Sequence, residues 1–237
     1  MTLNQEEQAI ETRALDYARK NKNRIAKDLT SPSKYVAEET PVSVFMAGSP
    51  GAGKTEASIE LINLYRNDGP DILRIDLDEL RTHFIDYNGK NAYLFQGAAS
   101  ILLSKIHDLA LKNRQSFILD GTLTNYRIAK DNIKRSLSRD RFVQILYVYQ
   151  DPILAWEFVE AREKTEGRRI LKETFIEQYF QARNVVNRLK TRFQKNIAVD
   201  LLLKNNDGSN RVYKANINKI DNFVPEKYTE IELQRIL

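Results

Sequence analysis

The chain has 237 residues, 42% of them hydrophobic and 29% charged, which is the balance of a globular protein and excludes a disordered one. It contains no cysteine, so disulfides, thiolate metal sites and cysteine nucleophiles are excluded, and a reducing cytoplasm is the simplest location. The net charge of +5 is a mild basic excess that suits a polyanionic ligand such as a nucleotide.

The predicted elements begin with an amphipathic helix over 4–27, which Pro32 and Pro41 separate from the rest of the chain. Short apolar runs then alternate with helical patterns. Strands are predicted at 42–47, 71–76, 116–120, 141–149 and 198–203, and helices from the glycine-rich loop to about 65, over 91–114, over 125–138, from 152 to about 165, and around 176–193. The most apolar stretch, 142–149, is too short to span a bilayer, and no secretory signal opens the sequence. The alternation predicts an α/β fold, a parallel sheet of about five strands flanked by helices.

The clearest motif is GSPGAGKT, which matches the phosphate-binding loop G-x-x-x-x-G-K-[ST]. Its glycines let backbone N–H groups point at phosphate oxygens, and the helix that follows presents its positive dipole to the same anion. A plain glycine-rich turn is the alternative, but a predicted strand before the motif and a helix after it favour a nucleotide site. The predicted nucleotide-binding residues are Gly48, Ser49, Pro50, Gly51, Ala52, Gly53, Lys54 and Thr55, of which Lys54 would reach the β and γ phosphates and Thr55 would ligate Mg²⁺.

Three aspartates follow two other predicted strands. Asp120 ends the third strand, where an acid can hold Mg²⁺ or its water, although it could instead cap the next helix. Asp76 and Asp78 follow the second strand, where an acid could take the proton of an attacking hydroxyl. We expect only one of that pair to face the site, and the alternative role for Asp78 is to cap the helix that it begins.

Two arginines, Arg162 and Arg168, flank a helix end and a glycine in AREKTEGRR, an arrangement that suits a lid over phosphates. An arginine on an exposed helix also pairs readily with a neighbouring glutamate, so this interpretation is weak by itself. The stretch 218–221 spells the guanine-reading N-K-x-D signature, but no buried apolar strand precedes it and no D-x-x-G switch follows the third strand. We therefore do not expect a GTPase.

The motifs GSPGAGKT, IDLDELR, ILDGT and AREKTEGR, in this order, resemble the zeta toxin family of P-loop kinase-like toxins. The resemblance covers about 40–205 and implies a kinase that phosphorylates UDP-N-acetylglucosamine with ATP or GTP and Mg²⁺. It further implies that Asp78 is the catalytic base, that Asp120 lies near substrate and metal, and that Arg162 with Arg168 clamps phosphates, Arg169 being a substitute for Arg168. A helical antitoxin is the partner that the family implies.

The sequence departs from the family at Ala98, where family members often carry an acid that holds the sugar nucleotide. The acceptor pocket could instead be shaped by the tyrosine- and asparagine-rich stretch 85–95. The sequence thus divides into an N-terminal helical segment (1–30), a P-loop kinase-like domain (40–205) and a C-terminal extension (206–237). Because the family antitoxin blocks the nucleotide pocket, we hypothesise that the N-terminal helix packs near that pocket in cis.

Two functions from different classes are compatible with the sequence. The first is a cytoplasmic phosphotransferase that moves the γ-phosphate of ATP or GTP to a hydroxyl of a small molecule. The second is a polynucleotide kinase or an ATP-regulated RNA-binding protein, suggested by the basic stretches 18–27 and 188–195. Basic helices are more often solvated faces, so a nucleic-acid partner is the less favoured of the two.

Overall fold

The computed structural model describes residues 3–167, 169–205, 211–225 and 228–237, without the side chains of residues 67, 68 and 211. Its helices are α1 (Gln5–Leu29), α2 (Lys54–Asp68), α3 (Leu77–Arg81), α4 (Gln96–Lys112), α5 (Tyr126–Leu137), α6 (Pro152–Glu166), α7 (Lys172–Phe193) and α8 (Glu230–Ile236). Its strands are β1 (Val42–Ala47), β2 (Leu73–Asp76), β3 (Phe117–Asp120), β4 (Phe142–Tyr149), β5 (Ala198–Lys204) and β6 (Arg211–Lys214).

One six-stranded sheet runs in the order β2-β3-β1-β4-β5-β6, with the first five strands parallel and β6 antiparallel to β5. The predicted α/β fold is therefore confirmed. The predicted number of strands was one short, because β6 lies in the stretch after 206, where no strand was predicted. β6 is short, and it forms by pairing with β5.

Both faces of the sheet are covered. Along β1 the fully buried side chains alternate, with Phe45 and Ala47 in the larger core cluster and Val44 and Met46 in the smaller one beneath α2. This double burial is why the parallel strands read as continuous apolar runs in the sequence.

Helix α1 packs along α4 through a stripe of buried residues that includes Ala14 and Ala18. Small side chains let two helix backbones approach closely, so this contact needs no bulky residues on α1. Leu233 of α8 is fully buried in the same cluster. Segments at both ends of the chain therefore share the core of the sheet.

Two helix caps differ from the sequence-based alternatives. The N-cap of α3 is Asp76, whose Oδ1 accepts the backbone N–H of Asp78 at 2.8 Å, so Asp78 is not the cap. Asp120 does not cap α5, because Asn125 does so by accepting the backbone N–H of Ile128. Neither Asp78 nor Asp120 is therefore the N-cap of these two helices.

The described helices include none with the combination of length and apolar character that crossing a bilayer requires. The carboxyl ends of β1, β2 and β3 lie side by side, since Asp76 pairs in register with Asp120 and β1 lies on the other side of β3. These strand ends place the phosphate-binding loop and two of the predicted acids at one edge of the sheet.

Candidate active site

The loop between β1 and α2 is held by close backbone contacts on both sides. Gly48, Gly51 and Gly53 have φ angles of +138°, +72° and +79°, in the region that side chains disfavour. A Cβ at Gly48 would lie 2.3 Å from the carbonyl oxygen of Val148, and one at Gly51 would lie 2.0 Å from that of Ala155. The glycines therefore permit both the turn of the loop and its seating against β4 and α6.

A cavity of about 950 Å³ opens above this loop. That size falls within the range of pockets that hold small ligands. It brings together most of the predicted site residues, namely Pro50, Gly51, Ala52, Gly53, Lys54, Thr55, Asp76, Asp78, Asp120 and Arg162. Gly48 and the buried Ser49 lie in the base of the loop, where they support the cavity floor.

Lys54 folds back over the loop, and its Nζ donates to the carbonyl oxygen of Ser49 at 2.6 Å. Burial, together with the positive charge of Arg162, lowers the pKa of Lys54 to about 8 against the attraction of Asp120. The ammonium group is therefore protonated at neutral pH but lies close to its titration range. A phosphate bound in the loop would stabilise the charged form.

Arg74 of β2 joins the acids at the strand ends into one cluster. Its Nη2 donates to Oδ2 of Asp120 at 2.7 Å and to Oδ2 of Asp76 at 2.5 Å, and its Nε donates to the hydroxyl of Ser58 at 2.9 Å. It also pairs with Glu79. The side chain of Arg74 is only 10% exposed, so this cation neutralises two buried carboxylates from within the fold.

Burial raises the pKa of Asp76 to about 6, even though the N–H of Asp78 and the guanidinium of Arg74 act in the opposite direction. At neutral pH Asp76 is a carboxylate with two structural duties, capping α3 and holding Arg74. It also borders the cavity, but its oxygens are occupied by these contacts. The side chain of Asp76 is 12% exposed and that of Asp78 is 32% exposed, so Asp78 is the more accessible of the two.

Asp78 is held from α3 itself. Its Oδ1 accepts from Nη1 of Arg81, and Nη2 of the same arginine donates to Oε1 of Gln96 at 2.5 Å. Arg81 is 7% exposed, whereas the side chain of Asp78 remains 32% exposed toward the cavity. A buried arginine anchored on α4 thus fixes the orientation of an accessible carboxylate.

The metal-binding role predicted for Thr55 and Asp120 fits the donors present. Both residues line the cavity, and the side-chain hydrogen bonds of Asp120 within the described chain all fall on Oδ2, leaving Oδ1 on the carboxylate for an ion or its water. The described residues contain no group of three His, Asp or Glu side chains that could hold a metal ion. A hydroxyl and one carboxylate suit Mg²⁺ that takes its other ligands from phosphate and water.

The predicted lid lies on α6 and the loop that follows it. Nε of Arg162 donates to Oε2 of Glu166 at 2.8 Å, the neighbour pairing that the sequence left open, and Arg162 also borders the cavity. Arg169 lines the cavity too, with its side chain 71% exposed. Arg168 lies outside the described residues.

The end of this lid meets the loop that precedes α4. A Cβ at Gly89 would lie 2.4 Å from the carbonyl oxygen of Glu166, and one at Gly167 would lie 2.6 Å from Cγ of Lys90. Both glycines have positive φ. The end of α6 and the loop before α4 therefore meet beside the cavity, which Glu166, Ala92 and Tyr93 line.

The start of α4 holds the position, Ala98, at which zeta toxins often carry an acid for the sugar nucleotide. Ala98 is fully buried, so it offers no contact to a ligand, and the exposed Gln96 lines the cavity instead. Tyr93 also lines the cavity, and its hydroxyl bonds to Glu7 of α1. α1 thus contacts the cavity wall through Tyr93, and an inhibitory role for it stays a hypothesis.

The N-K-x-D stretch has a structural role. Asp221 accepts from Nδ2 of Asn187 at 2.5 Å and lies 3.5 Å from Nε of Arg183, so it ties the short 3₁₀ helix Ile220–Asn222 to α7. It does not line the cavity.

Sequence reasoning missed several charged residues of the site, among them Arg74, Arg81 and Lys204. Arg74 carried a signal, since a charged residue inside a short apolar strand requires a buried partner. Arg81 carried a weaker one, its spacing of three residues from Asp78 on a helix. Lys204, which ends β5 and lines the cavity, carried none, because its proximity to the loop depends on the strand order.

The chain and its fold are similar to known proteins. The model of the Zeta toxin family matches residues 26–218, and no curated protein sequence matches the chain. The fold is similar to a structure from the PezAT chromosomal toxin–antitoxin system of Streptococcus pneumoniae, with a TM-score of 0.64 and 14% identity over 99% of this chain and 94% of that one.

The fold is also similar to two structures of the AvrRxo1-ORF1:AvrRxo1-ORF2 complex. The one with sulphate ions has a TM-score of 0.60 and 15% identity, over 93% of this chain and 72% of that one. The one with ATP has a TM-score of 0.58 and 16% identity, over 91% and 68%. At such low sequence identity these structures show similarity of fold alone, whereas the family model matches most of the chain. The chain belongs to the Zeta toxin family.

Proposed function

We propose that the protein is a phosphotransferase that moves the γ-phosphate of ATP or GTP to a hydroxyl group of a small molecule, and that it acts as a toxin. The observation that carries the proposal is that one cavity contains the lysine of a phosphate loop and a separately oriented, accessible carboxylate, Lys54 and Asp78. A hydrolase needs only to place water, whereas this arrangement leaves room for an acceptor beside the carboxylate.

Each residue has a distinct role in the proposal. The loop amides and Lys54 hold the β and γ phosphates, and Asp78 accepts the proton of the acceptor hydroxyl as it attacks. Thr55 and Asp120 would hold Mg²⁺, which neutralises phosphate charge when it is bound. Arg162, released from Glu166, stabilises the charge that develops in transfer, with Arg168 or Arg169 as its partner.

The family suggests a UDP-N-acetylglucosamine-type sugar nucleotide as the acceptor. Ala98, where the family often carries an acid, is buried, and Gln96 lines the cavity instead, so the hydroxyl that is phosphorylated is the part of the proposal most in need of a test. An antitoxin protein is a proposed partner, because two of the similar folds come from toxin–antitoxin work and from a two-protein complex.

The proposal can be tested with Mg²⁺ and γ-labelled ATP supplied with UDP-N-acetylglucosamine, a small-metabolite extract or an RNA pool in separate reactions. We expect label on the sugar nucleotide, and its loss in Asp78→Asn with ATP affinity unchanged. Label only in the extract would keep the kinase activity and discard this acceptor. Label only in RNA would favour a polynucleotide kinase, and full transfer by Asp78→Asn would refute the role of Asp78.

A further inference from the structure

Lys204 is the last residue of β5, and its side chain reaches across to the phosphate-binding loop. A Cβ built on Gly53 would lie 2.0 Å from Nζ of Lys204 and 2.8 Å from its Cε. The end of the lysine therefore rests against the α-carbon of the glycine that directly precedes Lys54. The residue also lines the cavity.

The strand order explains how a residue 150 positions from Lys54 arrives there. β4 pairs in parallel with both β1 and β5, so the carboxyl ends of all three strands reach the same edge of the sheet. The loop that follows β1 and the last residue of β5 are thus neighbours across the end of β4.

The space occupied by the amine is the space that a ligand would use. A glycine at this position of a phosphate loop lets phosphate oxygens approach the backbone amides, where a Cβ would interfere. The Nζ of Lys204 lies on that side of Gly53. Among the described residues the side chain of Lys204 has neither a hydrogen bond nor an ion pair, although Lys54 already places positive charge on the same loop. Two cations placed here without an anion repel each other, whereas a bound phosphate would attract both of them.

We propose that Lys204 is a second phosphate-binding lysine of the nucleotide site, which contacts the triphosphate from β5 while Lys54 contacts it from the loop. The inference rests on the proposed function only in requiring a nucleoside triphosphate in the cavity. It gives Gly53 a second reason to be glycine, because a side chain there would displace the lysine as well as the phosphate.

The test is equilibrium binding of ATP, ADP and adenosine to the full-length chain by titration calorimetry. Lys204→Met should weaken ATP and ADP by roughly tenfold, the effect of losing one charge-assisted contact, and leave adenosine unchanged. Lys204→Arg keeps the charge and should bind ATP within about threefold of the parent chain. Lys195→Met is the matched control, because Lys195 is exposed just before β5, at the other end of the strand, and ATP affinity should not change.

Several outcomes would overturn the assignment. Unchanged ATP affinity in Lys204→Met would show that the amine makes no phosphate contact, and tighter binding would show that it merely obstructs the loop. An equal loss for adenosine would place the lysine on the nucleoside instead. Lys54→Met separates this inference from the proposed function: if it abolishes ATP binding while Lys204→Met has no effect, only the role of Lys204 fails, and if neither variant changes ATP binding, both fail.

Discussion

Arg74 gives the sharpest prediction about stability, because it is the cation that two buried carboxylates share. The side chains of Asp76 and Asp120 are 12% and 5% exposed, and Arg74 contacts both through Nη2. The variant Arg74→Met keeps most of the aliphatic stem and removes the charge. It leaves two carboxylates on adjacent strands, in register, with no cation between them.

The cost follows from the burial of the pair. Removing one partner of a buried ion pair typically destabilises a protein by about 3–5 kcal/mol, since the remaining charge keeps its desolvation penalty. For a chain of this size that corresponds to a fall in Tm of roughly 6–20 °C. The matched control is Arg66→Met, which breaks the Arg66–Asp71 pair; its side chains are 52% and 32% exposed, so the expected cost is below about 1 kcal/mol.

The assay is urea unfolding of both variants and the parent chain. The slopes of unfolding free energy against urea concentration are compared to confirm that the same transition is measured in each. The deficit of Arg74→Met should be larger at pH 8 than at pH 5. Burial already raises the folded-state pKa of Asp76 to about 6, and without the arginine it loses an attraction that lowers this pKa, so protonation of Asp76 relieves the repulsion as pH falls. Asp76→Asn in the same background should recover part of the loss, because asparagine still caps α3. Equal stability of Arg74→Met and Arg66→Met would refute this reasoning.

Three further predictions concern the loop and its neighbours. ATP affinity should fall about tenfold per pH unit above pH 8, because Lys54, whose pKa is about 8 in the free protein, must then take up a proton on binding. In a calorimetric pH series Lys54→Arg should flatten this dependence of affinity on pH, and an unchanged slope would contradict the prediction. Gly51→Ala should lower the free energy of unfolding in urea by more than about 2 kcal/mol, since its Cβ would meet the backbone of Ala155. Gly121→Ala, with nothing within 4 Å of its Cβ, should lower it by under about 0.5 kcal/mol, and similar losses in the two variants would contradict this prediction. Arg81→Ala should lower kcat by roughly tenfold or more with the KM for ATP little changed, because Arg81 is buried and orients Asp78. A pure KM effect would argue against that role.

The parts of this site that the sequence predicts are those with local causes. The phosphate-binding loop is recognisable because its glycines, Lys54 and Thr55 act within eight consecutive residues, between a strand and a helix. The five parallel strands are recognisable because burial on both faces makes each an apolar run. Residues at the ends of those strands, such as Asp120, could then be placed at one edge of the sheet.

The remaining parts depend on contacts between distant segments. The choice between Asp76 and Asp78 as cap of α3 is set by backbone geometry at the end of β2, which composition does not reveal. The cluster around Arg74 requires the register of β2 against β3, and the position of Lys204 requires the full strand order. β6 has too few residues to give a periodic signal and exists because β5 offers it a free edge.

The central claim is that the γ-phosphate is transferred to an acceptor hydroxyl and not released to water. The most direct measurement is phosphorus NMR of a reaction containing the protein, Mg²⁺, ATP and UDP-N-acetylglucosamine, alongside Asp78→Asn. We expect a new phosphomonoester signal that grows as the γ-phosphate signal falls. This signal should be absent with the variant, although the variant still binds ATP. Release of the γ-phosphate only as inorganic phosphate, at equal rates in both proteins, would contradict the claim.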